Sequence, residues 1–240
     1  MSCLGTTKLI DIYRLLGNIP NSDIMGRIDI ERPEQELIAK YLPTQCNVLE
    51  LGGESGTTSL IINNILDVDY KKKHIIIDPE KNAIIKLEDT KNKYSANFQI
   101  IHGFLGKNRE THEKMWNGCK NNKMFQLTEI EAMINDTFDV LVIDCEGAFY
   151  NIVNEIPEIL DKASLIIIEM DGDCENVEPL RNKFLKSGFT LVHSQCHPYI
   201  NNNKIVTSPF GVFKTVNDLK KLKAHANLIG FHEVYTRLDM

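Results

Sequence analysis

Residues Asn47 to Leu60 read NVLELGGESGTTSL, and the rest of the chain takes its meaning from this stretch. Val48, Leu49 and Leu51 are strand formers, Gly52, Gly53 and Gly56 crowd the turn that follows, and Thr57 to Ile62 begins a second apolar segment with helical spacing. A strand, a glycine turn and a helix N-terminus let backbone N–H groups approach a ligand closely. Glycine has no Cβ, and the first helical amides lack intrahelical partners. The geometry suits a nucleotide-like cofactor. The carboxylates narrow the choice. A dinucleotide-binding turn follows G-x-G-x-x-G, so that pyrophosphate can sit on the helix N-terminus. Here the pattern is E-x-G-G-x-x-G, with Glu50 at the end of the strand and Glu54 inside the loop. Two carboxylates repel a pyrophosphate and suit a ligand that carries an ammonium or sulfonium charge.

Two further stretches carry acids at the ends of apolar runs. HIIIDP, from His74 to Pro79, reads as a buried strand closed by Asp78. A carboxylate at the end of the second strand of a nucleotide-binding α/β fold is placed to accept ribose hydroxyls, since its oxygens only accept hydrogen bonds. As an ordinary strand-ending residue, Asp78 would instead cap the next helix. FDVLVIDCEGAFYNIV, from Phe138 to Val153, places Asp144, Glu146 and Gly147 directly after the buried run Val140 to Ile143. In open α/β sheets that is the ligand-binding end, and charges so close to apolar residues need a partner or a task.

With these residues in view, the glycine turn resembles the first motif, E/D-x-G-x-x-x-G, of class I S-adenosylmethionine-dependent methyltransferases. Ile143 to Ala148 is similar to the I-D-x-E-G-A segment of the FkbM family of O-methyltransferases, and the resemblance extends over about residues 30 to 215. The resemblance implies that Glu50, Gly52, Gly53, Glu54, Ser55 and Gly56 surround the methionine and ribose portion of S-adenosylmethionine. It implies that Asp78 takes the ribose and that His102, Gly103 and Phe104 lie on the adenine side. Asp144 and Glu146 become candidates to orient the cofactor or act as general base, with His197 as a further candidate base in a substrate-facing loop. Phe149 departs from the family, whose members commonly carry another acid there. Related metal-dependent O-methyltransferases hold a divalent ion with carboxylates from two strand ends, and Asp144 and Glu169 could supply two. The third ligand position is Met170, which is no hard ligand, so a metal is not favoured. His193, Cys196 and His197 lack the further cluster a zinc site needs.

Composition sets the outer limits. A chain of 240 residues with 42% hydrophobic and 25% charged positions can bury a sizeable core in one large domain, and no Pro/Gly/Ser tract or repeat divides it. Residues 1 to 30 read as a leading helical and irregular segment, a candidate lid or dimer contact, before a domain from 31 to 240. A net charge of −6 argues against nucleic acid as a partner, which calls for clustered Lys and Arg. The run Lys71 to Lys73 reads as a solvated loop. The N-terminal MSCLGTTKLIDIYRLLGN has no long apolar run, so neither a secretion signal nor a membrane anchor is expected. Six cysteines without C-x-x-C spacing read as reduced thiols, and the expected location is the cytoplasm.

The remaining expectations follow the chain. Helices are predicted over residues 6 to 17, Arg32 to Leu42 with Pro33 in the first turn, Lys81 to Lys93, from Thr128 with Glu131 in a capping box, Val177 to Ser187, and Asp218 to Leu228. Strands are predicted at FQIIHGF (98–104), ASLIIIEMD (163–171), FTLVHS (189–194) and FGVFKT (210–215). Residues 107 to 136 are polar around Trp116 and read as a lid or substrate loop. The expected architecture is an α/β, Rossmann-like, seven-stranded, mainly parallel sheet with helices on both faces and a closing antiparallel hairpin. The expected activity is S-adenosylmethionine-dependent methylation of a hydroxyl on a sugar or other small polar metabolite such as a glycan precursor, with a homodimer open. The alternatives are an NAD-dependent sugar-modifying enzyme, disfavoured by Glu50 and Glu54, and a non-catalytic binding module.

Overall fold

In a computed structural model, residues 25–66, 73–116, 118–170, 174–196, 199–201, 204–206 and 231–237 are described. Helix α1 (Met25–Tyr41) precedes the central strand β1 (Val48–Leu51), the glycine turn and helix α2 (Thr57–Ile65). Then come β2 (His74–Asp78), α3 (Lys81–Tyr94), β3 (Gln99–His102), the two-residue β4 (Phe104–Leu105), α4 (Arg109–Met115), β5 (Met124–Phe125) and α5 (Leu127–Ile134). The chain continues with β6 (Val140–Ile143), α6 (Phe149–Glu155), β7 (Leu165–Met170), α7 (Cys174–Lys186), β8 (Thr190–Cys196), β9 (Tyr199–Asn201), β10 (Lys204–Val206) and β11 (Phe231–Thr236). Among the described residues the main sheet has seven strands in the order β3-β2-β1-β6-β7-β11-β8. β1 pairs in parallel with β2 and β6, and β11 runs antiparallel between β7 and β8.

Side-chain alternation explains why these short runs form a covered sheet. Successive strand residues point to opposite faces. Leu49, Leu51, Ile75, Ile77, Leu141, Ile143, Ile166 and Ile168 meet α5, α6 and α7 on one face. Val48, Ile76, Val140, Val142, Leu165 and Ile167 meet α1, α2 and α3 on the other. Both faces are apolar, so the strands read as continuous hydrophobic runs, as parallel strands buried on both sides do. The order reverses beside β1, where one neighbour leads to β2 and the other to β6. That switch point opens a crevice at the C-terminal ends of the strands.

The closing strand carries a buried charge. Glu233 on β11 is fully buried; the Arg181 guanidinium from α7 grips both its carboxylate oxygens, and the Tyr235 hydroxyl donates to Oε2 at 2.5 Å. Burial and then the Glu233 hydrogen bond push the Tyr235 hydroxyl well above its ordinary range. An ionised carboxylate is tolerated inside because its lone pairs are taken up by these donors.

Several expected boundaries shift. The helix predicted from Arg32 begins at Met25, so residues 25 to 30 are helical, not irregular, and Pro33 lies inside the helix. The capping box sits two residues earlier than expected, on Gln126 and Glu129, where the Gln126 backbone amide donates to Glu129 Oε2 at 2.8 Å. The third strand splits at Gly103 into β3 and β4, and part of the loop after Cys196 forms the antiparallel pair β9 and β10. Among the described residues the last strand of the sheet is Phe231–Thr236, a strand not among those expected from the sequence. Residues 210 to 215, the helices expected at 6 to 17 and 218 to 228, and Lys71 and Lys72 lie outside the described residues. No helix among the described residues is long and apolar enough to cross a membrane.

Candidate functional site

The glycine turn is pinned on both sides by backbone. The Gly52 amide donates to the Ile77 carbonyl at 3.0 Å, and the Asp144 amide donates to the Leu51 carbonyl at 2.9 Å, so the ends of β1, β2 and β6 are tied together. Gly52 adopts φ +85°, and a Cβ there would lie 1.7 Å from the Asp144 carbonyl oxygen. No side chain fits. Gly56 adopts φ +81° as the N-cap of α2 and accepts the Leu60 amide at 3.0 Å.

Asp78 organises the other wall. Its Oδ2 accepts the Gly53 amide at 3.0 Å and the Glu54 amide at 3.3 Å, and its Oδ1 accepts the Glu80 amide at 2.8 Å. Burial pushes its carboxyl above the ordinary aspartate range, while these amides oppose the shift by favouring the ionised form. A carboxylate offers about four acceptor directions. Three are engaged, leaving room on Oδ1 for one further donor. Glu54, in a left-handed conformation, stands above the turn 3.9 Å from Lys86 Nζ, an exposed pair of small energetic consequence.

On the opposite side Asp144 follows β6, and Glu146 occupies a left-handed conformation with φ 50°, followed by Gly147 at φ 80°. A non-glycine residue held in that region is uncommon, and Glu146 lines the cleft. Partial desolvation, then the nearby Glu169 carboxylate, hold the Glu146 carboxyl above the ordinary glutamate range. Phe149, where the resembling family commonly has an acid, is buried and packs 6.1 Å from the Phe184 ring. It belongs to the core beneath the cleft.

These parts meet in a cleft of about 260 Å³ at the switch point. Of the expected residues, Gly52, Glu54, Asp78, Gly103, Phe104, Asp144 and Glu146 line it. Glu50, Gly53, Ser55, Gly56 and His102 do not. The reasons are geometric. Glu50 points to the other face of the sheet, where its Oε1 accepts the Ser59 hydroxyl at 3.0 Å and its Oε2 lies 2.7 Å from His74 Nε2. Gly53 and Gly56 back onto β2 and α3, where an added Cβ would meet Ile76 of the strand or Leu87 and Thr90 of the helix, and the Ser55 carbonyl accepts the Thr90 hydroxyl at 2.8 Å. Gly53 still serves the site through its amide on Asp78. The His102 ring is exposed and lies against the Pro79 carbonyl at 3.1 Å. Glu169 lies 3.5 Å from His232 across the β7–β11 ladder. Among the described residues no group of three His, Cys, Asp or Glu could hold a metal ion. His197 lies outside the described residues.

The buried pair of Glu50 and His74 gives a first prediction. Glu50→Gln keeps the shape but weakens the charge-assisted bonds to His74 and Ser59, so unfolding stability should fall by about 1–3 kcal/mol. Affinity for a cleft ligand should change less than threefold. Chemical denaturation and calorimetric titration check the two halves separately.

Sequence reasoning missed two residues, His112 and Trp116, which stand four apart at the end of α4 and line the same cleft. His112 is buried, its Nε2 lies 3.3 Å from Glu155 Oε2, and its ring leans on Phe104 at 5.6 Å. The Lys107 and Asn108 amides donate to the same Glu155 oxygen at 2.6 and 2.9 Å. The available signal was a lone tryptophan in a polar stretch with a histidine one helical turn before it.

The fold is that of known methyltransferases. A protein classed as an RNA methyltransferase from Pyrococcus horikoshii superposes with a TM-score of 0.51 and 10% identity over 87% of this chain and 83% of that one. The ribosomal protein L11 methylase of Lactobacillus delbrueckii subsp. bulgaricus superposes at 0.50 and 9% identity over 87% and 78%. A protein classed as a methyltransferase and complexed with SAH superposes at 0.52 and 13% identity over 86% of this chain and 49% of that one. No protein-family model matches the sequence, and no curated protein matches it. At such identities the likeness is one of fold: this chain has an α/β, Rossmann-like fold with a seven-stranded, mainly parallel sheet, as those proteins do.

Proposed function

We propose that this chain is an S-adenosylmethionine-dependent methyltransferase. The observation that carries the reading is the acid-lined cleft at the switch point. Gly52 admits close backbone approach, Asp78 faces it from the end of β2, and Asp144 and Glu146 face it from the end of β6, with no Lys or Arg among its described lining residues. That set of acceptors fits a ligand with a diol and a positive charge better than one with a pyrophosphate. It therefore favours the methyltransferase over the NAD-dependent alternative. The structural likeness to a protein complexed with SAH supports the same choice.

S-adenosylmethionine, when bound, supplies a methyl group on a positively charged sulfur, and its loss to a nucleophile leaves a neutral thioether. The remaining work falls to the chain. In this reading Oδ1 of Asp78 accepts a ribose hydroxyl through its remaining lone pair. Gly52 and the Glu54 backbone form the floor under the charged portion of the ligand, and the carboxylates of Glu54 and Asp144 favour its positive charge. Glu146 takes the proton of the acceptor hydroxyl, its raised carboxyl basicity matching that task better than an ordinary surface glutamate would. The acceptor we infer is a hydroxyl of a sugar or other small polar metabolite, as the similarity of Ile143 to Ala148 to the FkbM family implies. A site built from Asp144 and Glu169 does not fit a divalent ion, since the next position, Met170, is buried in the core.

Thermal unfolding with S-adenosylmethionine, S-adenosylhomocysteine or NAD, each with and without magnesium, tests the reading. A ligand of the folded state at a hundred times its Kd adds about 2.7 kcal/mol of stability. The two methionine-derived ligands should raise the midpoint by several degrees, with or without magnesium, and NAD should leave it unchanged. A shift with NAD alone would overturn the assignment. Binding without turnover across a panel of hydroxylated sugars would leave the non-catalytic module as the better description.

A further inference from the structure

Between β4 and β5 the chain leaves the sheet for one excursion, residues 106 to 123, and returns to pair in parallel only two residues deep. The short ladder sets Leu105 and Phe125 in the core and so anchors both ends of the excursion. What the excursion does is carry His112 and Trp116 onto the cleft, beside Pro79, Glu80 and Phe104. We propose that Trp116 is the side chain that stacks on the purine base of the cofactor, and that the excursion is built to hold it there. The proposal rests on the methyltransferase reading and extends it to a residue outside the motifs.

The geometry shows a braced wall. The Asn122 side-chain amide donates to the Pro79 carbonyl at 2.6 Å, which ties the far end of the excursion to the turn after β2. Arg109 Nη1 donates to the Asn122 carbonyl at 2.7 Å, and Glu113 accepts the Asn121 amide at 2.9 Å, which fastens α4 to that same end. At the near end, Glu155 of α6 accepts the Lys107 and Asn108 amides. A Cβ on Gly106 would lie 2.5 Å from His112 Nε2, so the chain passes directly beneath the ring. His112 thus has little freedom. Trp116, one turn further on, is half-buried and lines the cleft. A large rigid aromatic lining the same cleft as a carboxylate suited to ribose matches a flat heteroaromatic base. Each such base gains from stacking in a sequence-tolerant way, because every base has a π-face.

Trp116 is the sole tryptophan of the chain, so its emission reports on this wall alone. The test combines emission titrations with calorimetry on the full chain, using S-adenosylhomocysteine, adenosine and methionine. S-adenosylhomocysteine and adenosine should change the emission saturably, with the calorimetric Kd, and methionine should not. Trp116→Ala should weaken both adenosine-containing ligands about tenfold and leave methionine unaffected, while Trp116→Phe should restore affinity to within about threefold. Far-UV circular dichroism and the unfolding midpoint verify that each variant is folded. Calorimetric binding of S-adenosylhomocysteine with silent emission, or unchanged affinity in Trp116→Ala, overturns the stacking role and leaves the methyltransferase reading standing. Equal weakening of all three ligands also overturns it, since a merely structural loss would act without regard to the base. No heat with S-adenosylhomocysteine in the unaltered protein overturns both.

Discussion

Replacing Glu146 by Gln should lower the rate of methyl transfer by a factor of about 10² to 10⁴, the range that a positioned general base contributes. The substitution preserves size and removes only basicity, and the backbone at φ 50° accepts Gln no less readily than Glu. Glu146 is held above the ordinary carboxyl range by partial desolvation and then by Glu169. A base works in its ionised form. The rate should therefore climb as pH rises through the elevated carboxyl value and level once Glu146 is ionised. In Glu146→Gln that limb should vanish while the calorimetric affinity for S-adenosylhomocysteine stays within about threefold. Glu169→Gln removes the neighbouring negative charge, so the limb should move to lower pH. The readout is release of S-adenosylhomocysteine with the best hydroxylated acceptor from the sugar panel. Unchanged turnover and an unchanged pH profile in Glu146→Gln would sink the assignment and move attention to Asp144.

Gly52→Ala should have the largest effect on the fold. The position combines a left-handed φ of +85° with a Cβ site 1.7 Å from the Asp144 carbonyl oxygen. Left-handed backbone costs a non-glycine residue roughly 1–2 kcal/mol. The contact cannot be relieved by a rotamer, since the obstacle is backbone tied by the Asp144 amide to the Leu51 carbonyl. The ends of β1 and β6 must separate. We expect a loss of roughly 3 kcal/mol or more, seen as a midpoint lower by about 6–12 °C for a chain of this size. Stabilisation by S-adenosylhomocysteine should disappear with it. Gly53→Ala supplies the comparison. Its Cβ would meet the Ile76 and Leu87 side chains at 2.6 to 3.1 Å, and its φ is not in the left-handed region, so repacking can absorb part of the cost. The order of damage should be Gly52 above Gly53.

The two experiments separate what the turn does for the fold from what the acids do for chemistry. In the proposed reading Gly52 acts on both, because it sits where the ends of β1 and β6 are tied and also lines the cleft. Glu146 acts in that reading on the chemistry alone, since it is exposed and lines the cleft. Glu50 sits between the two categories: it belongs to the motif yet serves the packing of α2 and β2 through Ser59 and His74.

Much of the architecture is legible in the sequence. The runs Val48 to Leu51, His74 to Asp78 and Val140 to Ile143 are apolar on both faces, and such runs have few solutions other than a covered parallel sheet. The positions of the acids follow, because Asp78, Asp144 and Glu146 each terminate or follow an apolar run and so must emerge at the same edge of that sheet. Local pattern alone was sufficient for these. Tertiary structure decided the rest. Which motif residues face the ligand depends on strand alternation and on what covers each face: Glu50 turned toward Ser59 and His74, while Glu54 and Gly52 turned toward the cleft. The last described strand, Phe231–Thr236, is chosen by pairing with β7 and β8 far away in sequence, which no local pattern marks. His112 and Trp116 sit in a polar stretch without strand or long helical periodicity, and only the hydrogen bonds of Glu155, Arg109 and Asn122 bring them to the cleft. Periodicity reports which face of an element is buried; contacts between residues distant in sequence, which no local pattern encodes, determine what that face meets.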